Sequence, residues 1–321
     1  MSFKEYVWQE IYRAKELKDL IIPNEVRNIF EKFIQDKEIT HLLFFGTPGT
    51  QKTTSSNVLI NELHADSIYI NASNETGIDV VRNKIIQYIS SPSLKGQKKI
   101  VILDECENAS SLFQSSLKSI LEKYSKFAKF ILITNHIDKI DKALISRCMT
   151  INFNFQSQEE IKELKSQYLK RCLYILKNEG FELKTKSEME VIVKIVKDYF
   201  PDFRIIVRTL QEMALRSENG VLNISYTSFN DRLDKIIELI FEKNVIKLRE
   251  YILKNFVNTE LSLIYKDFYK KMIEKFQDDN VKIASIIIII AKYLEFDSRV
   301  LDKEINIMSM FSEIIQDVIS K

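Results

Sequence analysis

Residues 41–62 read HLLFFGTPGTQKTTSSNVLINE, and the fold turns on them. The apolar run His41–Phe45 has the length of a buried strand, and the segment from Lys52 onward has helical spacing. The loop between them is nearly G-x-x-x-x-G-K-[ST], running Gly46, Thr47, Pro48, Gly49, Thr50, Gln51, Lys52 and Thr53, with Thr54 following. Such a loop turns successive backbone N–H groups toward phosphate oxygens, and the next helix adds the positive end of its dipole. Lys52 is then expected on the β- and γ-phosphates of ATP, and Thr53 on Mg²⁺. Gln51 stands where the pattern has its second glycine. If that position needs φ > 0, a side chain there costs roughly 1–2 kcal/mol. Two readings stay open: a loop that binds ATP with altered affinity, or a degenerate loop kept for structure.

Four further short β-branched runs read as strands: Ser67–Asn71, Lys99–Asp104, Phe130–Asn135 and Thr150–Phe153. Their nearly continuous hydrophobicity fits parallel strands covered on both faces, with the intervening segments as crossover helices. The expectation is a five-stranded parallel sheet in an α/β domain over 1–155. From Ser157 a serine cap, early acids and Gly180 mark a helix of a second, helical domain over 156–228. A third, all-helical domain covers 229–321, because the last 101 residues contain no glycine and Pro201 is the final proline. There Ile236, Ile237, Ile240, Phe241, Leu248, Ile252, Phe256, Leu263, Ile264, Phe268 and Met272 are spaced as buried stripes. The apolar run Ile286–Ala291, far too short to span a bilayer, reads as a buried helix.

Only 6 of the 321 residues are Gly and 4 are Pro, which argues against a turn-rich β-sandwich or barrel. With 45% apolar and 29% charged residues the chain is not disordered either. A net charge of +2 supplies no whole-molecule field for a polyanion, so any nucleic-acid site is local. Cys106, Cys148 and Cys172 lack CxxC spacing, so neither a disulfide framework nor a zinc site is expected, and His41, His64 and His136 have no metal-like spacing. The first dozen residues do not form a signal peptide. A cytoplasmic protein without a membrane partner is expected.

The run Lys99–Leu103 ends in Asp104-Glu105-Cys106-Glu107. Acids at the C-terminal edge of a parallel sheet face its ligands. Asp104 is expected to hold Mg²⁺ with Thr53, and Glu105 to polarise the attacking water.

With these residues in place, the chain resembles AAA+ sliding-clamp loader ATPase subunits, most closely the compact tailed-phage type, and is similar to replication factor C small subunits. The resemblance covers most of the chain. It rests on Gly46–Thr54, Asp104-Glu105, Thr134-Asn135, Ser146-Arg147-Cys148 and Pro201-Asp202-Phe203-Arg204 followed by Leu210-Gln211. It implies an α/β P-loop NTPase domain followed by an all-α lid and an all-α oligomerisation collar. It further implies that Asn135 is sensor 1, Arg204 the sensor-2 arginine of the lid, and Arg147 the arginine finger inserted into a neighbouring subunit's ATP site. Tyr12 and Arg13 border the adenine, although Ala14 replaces the proline usual there.

By the same resemblance the segment Ile78–Lys99, with a local net charge of +4 from Arg82, Lys84, Lys95, Lys98 and Lys99 against Asp79, carries the DNA contacts, Arg82 and Lys84 foremost. Gln114 couples DNA contact to the acidic strand end. Leu112 and Phe113 are candidate clamp anchors. The implied partners are a homo-oligomer of four ATPase subunits, a distinct fifth loader subunit, the sliding clamp and primer-template DNA. The implied activity is ATP-driven opening of the clamp, with DNA- and clamp-stimulated hydrolysis releasing it. Two competing classes stand beside this one: an ATPase-inactive structural P-loop subunit of a loader complex, favoured by Gln51, and another AAA+ DNA-metabolism ATPase such as a helicase loader.

Overall fold

The computed structural model describes residues 7–73, 78–92, 98–155, 157–183, 185–217, 222, 226–256, 258–297 and 299–320. It divides into two compact units, Met1–Ser225 and Tyr226–Lys321.

In the first unit the order is α1 (Trp8–Ile11), α2 (Asn24–Asp36), β1 (Leu42–Phe45), α3 (Lys52–Glu62), β2 (Asp66–Asn71), α4 (Ile78–Ser90), β3 (Lys99–Asp104), α5 (Ser111–Tyr124), β4 (Ala128–Thr134), α6 (Lys142–Ile145) and β5 (Met149–Asn152). The strands form one parallel sheet in the order β2-β3-β4-β1-β5. Alternation at period two sends neighbouring residues to opposite faces. Leu42, Phe44, Ile100, Ile102, Ile131 and Ile133 pack on one face with Val26 and Phe30 of α2 and Val58 and Leu59 of α3. Leu43, Val101, Leu103, Phe130 and Leu132 pack on the other with Ile85 and Ile89 of α4 and Leu117 and Ile120 of α5. Both faces are thus buried, which is why the strands read as unbroken apolar runs. This order leaves β4 between β1 and β3, so the segments following these three strands meet at one edge.

Three helices follow: α7 (Gln158–Asn178), α8 (Lys186–Tyr199) and α9 (Phe203–Leu215). Each begins at a side-chain cap, from Ser157, Thr185 and Asp202 respectively, which satisfies backbone N–H groups the helix cannot. Gly180 ends α7 in the left-handed conformation (φ +85°).

The second unit contains α10 (Phe229–Phe241), α11 (Val245–Asn255), α12 (Asn258–Lys275), α13 (Asn280–Asp297) and α14 (Lys303–Ile314), with a π-helical turn over Ile315–Ile319. Its core gathers Ile236, Ile240, Leu248, Ile252, Ile264, Phe268, Met272 and Phe311. Two expectations are corrected here. Phe241 lies at the edge of the stripe, 36% exposed, and the isoleucine run is only half buried: Ile286, Ile289 and Ile290 face the core while Ile287 and Ile288 are exposed. A helix turning 100° per residue cannot bury five consecutive side chains against one neighbour layer. The side chain of Leu263 lies outside the described residues. Among those described, no helix is long and apolar enough to cross a membrane.

Candidate active site

The loop after β1 is shaped by backbone as much as by side chains. Gly49 adopts φ +79° and Gln51 φ +66°, so the position of the missing glycine does take the left-handed conformation. Thr47 N–H donates to Asn154 Oδ1 at 2.8 Å, and Thr50 Oγ1 donates to the Thr47 carbonyl at 2.9 Å. Lys52, at the start of α3, is buried and its ammonium donates to the carbonyls of Gly46 (2.7 Å) and Thr47 (2.8 Å). Burial lowers its pKa from the usual lysine value to about 8, against the attraction of Asp104 and Glu107.

Opposite the loop, at the end of β3, Asp104 Oδ2 accepts from Thr53 Oγ1 at 2.7 Å and from Tyr69 Oη at 2.9 Å. Its other oxygen accepts from the Glu105 N–H at 2.9 Å. Glu105 itself sits at φ +55°, in the left-handed conformation. After β4, Asn135 is fixed by Glu107 Oε1, which accepts from both its backbone N–H and its Nδ2 at 3.1 Å.

Gly49, Gln51, Lys52, Thr53, Tyr69, Asp104, Glu105 and Asn135 line one cleft of about 310 Å³, within the usual size of ligand sites, together with Tyr12, Arg13, Thr54, Arg171 and Arg204; Gly46, Thr47, Pro48 and Thr50 of the loop are not among its lining residues. Arg13 Nε donates to Thr54 Oγ1 at 3.3 Å. The Tyr12 hydroxyl donates to Glu179 at 2.6 Å, and burial with that carboxylate pushes its pKa up to about 12. Arg171 of α7 donates to the Tyr12 carbonyl at 3.2 Å. The N-terminal segment is further tied to α9: Trp8 N–H donates to Gln211 Oε1 and Gln9 Nε2 to the Arg204 carbonyl. Asp104, Glu105, Asn135, Lys52, Thr53 and Arg204 are therefore brought together, as are Tyr12 and Arg13.

Other expected residues lie elsewhere. Arg147, after α6, is held by Glu122 of α5 and is not among the residues lining the cleft. Arg82 and Lys84 are exposed on α4. Gln114 is buried on α5, where Nε2 donates to the carbonyls of Ala109 and Lys139 and Oε1 accepts from the Asp141 N–H. It thereby joins the segment after β3 to Asp141, the cap of α6, five residues before Ser146.

Two expectations fail for a stated reason. Phe113 is only 6% exposed, in the core beneath α5, and offers no surface anchor, whereas Leu112 is 74% exposed. Lys99 is 4% exposed and its ammonium donates to the carbonyls of Tyr88, Ile89 and Ser91 and to Ser91 Oγ. It caps the C-terminal end of α4, where a cation meets the unpaired carbonyls, and is withdrawn from any nucleic-acid face. Lys95 lies outside the described residues, as do the side chain of Asp79 and all of Asn74–Gly77. Sequence reading missed Glu107, Tyr69 and Arg171. Glu107 was signalled as the third acid of Asp104-Glu105-Cys106-Glu107; Arg171 and Tyr69 carried no local signal.

Two family models match the chain. Residues 42–156 match the ATPase family associated with various cellular activities, and residues 159–225 match the AAA+ ATPase lid domain of sliding-clamp-loader large subunits. The sliding-clamp-loader large subunit of Enterobacteria phage T4 is 32% identical over 252 residues, 77% of each chain. The chain belongs to the sliding-clamp-loader ATPase family. Within it, the replication factor C small subunit of Sulfurisphaera tokodaii is 30% identical over 268 residues, covering 81% of this chain and 79% of that one. Among solved structures, RuvB of Thermotoga maritima superposes with a TM-score of 0.53 at 18% identity over 81% of this chain and 91% of that one, a likeness of fold alone. The lid match places the family's own lid helices over α7–α9, whose Arg204 lines the cleft of this clamp-loader relative.

Proposed function

We propose that this clamp-loader family member binds and hydrolyses ATP to open a ring-shaped DNA polymerase clamp, and releases the closed ring on primer-template DNA. The observation that carries this reading is the convergence of Lys52 and Thr53, Asp104 and Glu105, and the lid's Arg204 on one cleft. At neutral pH a lysine with a pKa of about 8 is still mainly protonated, so Lys52 meets the β- and γ-phosphates as a cation. The Thr53 hydroxyl and Asp104 carboxylate, 2.7 Å apart, are hard oxygen donors and fit Mg²⁺, which when bound neutralises phosphate charge. Glu105 orients the water that attacks the γ-phosphorus and accepts its proton as the bond to the ADP oxygen breaks. Asn135, fixed by Glu107, bonds that water or the γ-phosphate.

Arg147 acts in a neighbour's cleft, where its permanent charge and forked donors match the spread charge of the transferring phosphoryl group. A site that needs a second subunit's arginine implies a homo-oligomer, in which four such subunits join a distinct fifth through the collar, residues 229–321, beside the ATPase domain (1–155) and lid (156–228). Arg82 and Lys84 track DNA phosphates without reading sequence, and Gln114 links that contact to the acidic strand end.

The test is ATP turnover with primer-template DNA, with and without the cognate clamp, in the assembled complex. Turnover that rises with DNA and rises again with clamp is expected. No turnover in any arm would favour the non-hydrolysing loader subunit, the reading to which the strained Gln51 lends weight. Stimulation by DNA alone, indifferent to clamp, would favour a different AAA+ DNA-metabolism ATPase such as a helicase loader.

A further inference from the structure

Tyr69 stands on β2, an edge strand of the sheet, and is 48% exposed. An aromatic ring suits a strand on its own account, and at that exposure water could satisfy the hydroxyl. The hydroxyl instead donates at 2.9 Å to Oδ2 of Asp104, a residue only 8% exposed. The strand register explains the reach. Tyr69 pairs with Ile102, and Asn71 with Asp104, in the parallel ladder of β2 and β3. Period two therefore places Tyr69, Ile102 and Asp104 on one face of the sheet. On that face Ile102 packs with Val58 and Leu59 of α3, the helix that opens with Lys52 and Thr53.

Asp104 is thus held by three donors. Oδ2 accepts from Thr53 Oγ1 at 2.7 Å and from Tyr69 Oη at 2.9 Å, while Oδ1 accepts from the Glu105 N–H at 2.9 Å. The last torsion of an aspartate is broad, so its rotamer well alone does not set the plane of the carboxylate. The hydrogen bonds set it. An ionised carboxylate oxygen offers about two acceptor positions, and those on Oδ2 are filled from two different elements, α3 and β2. Turning the carboxylate breaks both bonds. Of the three donors, Thr53 also faces the metal in the reading given above, and the Glu105 N–H belongs to the adjoining residue. Tyr69 is the donor that comes from a separate strand and lines the same cleft.

We infer that Tyr69 is a positioning residue, whose hydroxyl holds the Asp104 carboxylate in one orientation for Mg²⁺. It acts through Asp104 and not on the nucleotide. This rests on the reading of the cleft as the site of ATP and Mg²⁺.

The experiment compares the full wild-type chain with Tyr69→Phe, which keeps the ring on the strand and removes only the hydroxyl. The first readout is the factor by which Mg²⁺ tightens binding of a fluorescent ADP analogue over its affinity in EDTA. That factor is expected to fall about fivefold, the size of one net hydrogen bond, with the affinity in EDTA unchanged. The second readout is hydrogen exchange of the Glu105 backbone amide, followed by NMR without nucleotide or metal. It is expected to quicken about fivefold as the carboxylate leaves that N–H more often, with the global melting temperature changed little.

An unchanged Mg²⁺ factor, a loss of affinity equal with and without Mg²⁺, or unchanged exchange at Glu105 would overturn the role. If the wild type binds no nucleotide in either condition, the reading of the site fails, and the exchange measurement still decides whether Tyr69 holds Asp104.

Discussion

Arg147 is bound to Glu122: its Nε and a terminal guanidinium nitrogen approach one carboxylate oxygen at 2.6 and 2.5 Å, while a second terminal nitrogen donates to the Ala143 carbonyl at 2.7 Å. A half-exposed ion pair of this kind contributes about 0–1 kcal/mol, enough to park the side chain and too little to keep it from a phosphate on another subunit. Arg147→Ala is expected to leave nucleotide binding by the separate subunit intact and to lower DNA- and clamp-stimulated turnover by about 10³-fold. Nucleotide titration beside steady-state turnover checks this, and unchanged stimulated turnover would refute the role.

The pH dependence of binding follows from Lys52. Its folded pKa of about 8 lies below the ordinary lysine value of 10.5, so the folded chain loses this proton first as pH rises. In the proposed role the ammonium meets the phosphates, so affinity is expected to fall above pH 8 by up to about tenfold per unit, with proton uptake on binding. By the same linkage the group's contribution to stability rises between about 8 and 10.5. Calorimetry in buffers of different ionisation enthalpy reads the uptake. Lys52→Arg, which does not titrate in this range, should flatten the profile.

Two glycines with similar backbones separate strain from collision. Gly180 has φ +85° with nothing within 4 Å of a built Cβ, and Gly49 has φ +79° with Asp202 at 2.4 Å. Gly180→Ala is expected to cost about 1 kcal/mol and Gly49→Ala at least about 3 kcal/mol, since the second must also displace the lid turn. Denaturant unfolding of the two variants gives the comparison directly.

The lysines of the α4 region divide by burial. Lys99→Met leaves the carbonyls at the end of α4 without their donor and is expected to destabilise by about 2–3 kcal/mol. Arg82→Ala and Lys84→Ala should shift unfolding by less than about 0.5 kcal/mol and weaken DNA binding uniformly across sequences. A salt titration of DNA affinity would show each of the latter lowering the slope by about one.

Much of this architecture is legible along the chain because its signals are local. Buried parallel strands such as Lys99–Asp104 are continuous apolar runs, and the succession of strand, glycine loop and helix marks residues 46–54. What was not legible depends on which distant segments meet. Lys99 looked like one more cation of a basic stretch, because nothing local says that the end of α4 folds back over the start of β3. Tyr69 reaches Asp104 only because β2 and β3 are paired neighbours. The cost at Gln51 was readable from the motif; the close approach of Gly49 to Asp202, far along the chain, was not.

The ties between the first residues and the lid carry a consequence for how the protein comes to exist. Trp8 meets Gln211 across 203 positions, Gln9 meets Arg204 across 195, and Tyr12 meets Glu179 across 167. Closing a loop of that length costs on the order of 5 kcal/mol of chain entropy before any contact forms. During synthesis the N-terminal segment that lines the cleft must therefore wait, already extruded, for a partner made some 200 residues later. The sheet and its phosphate loop can assemble meanwhile from nearer contacts. The cleft is completed only once α7–α9 have been made, so a nascent chain acquires its sheet before it acquires an enclosed pocket.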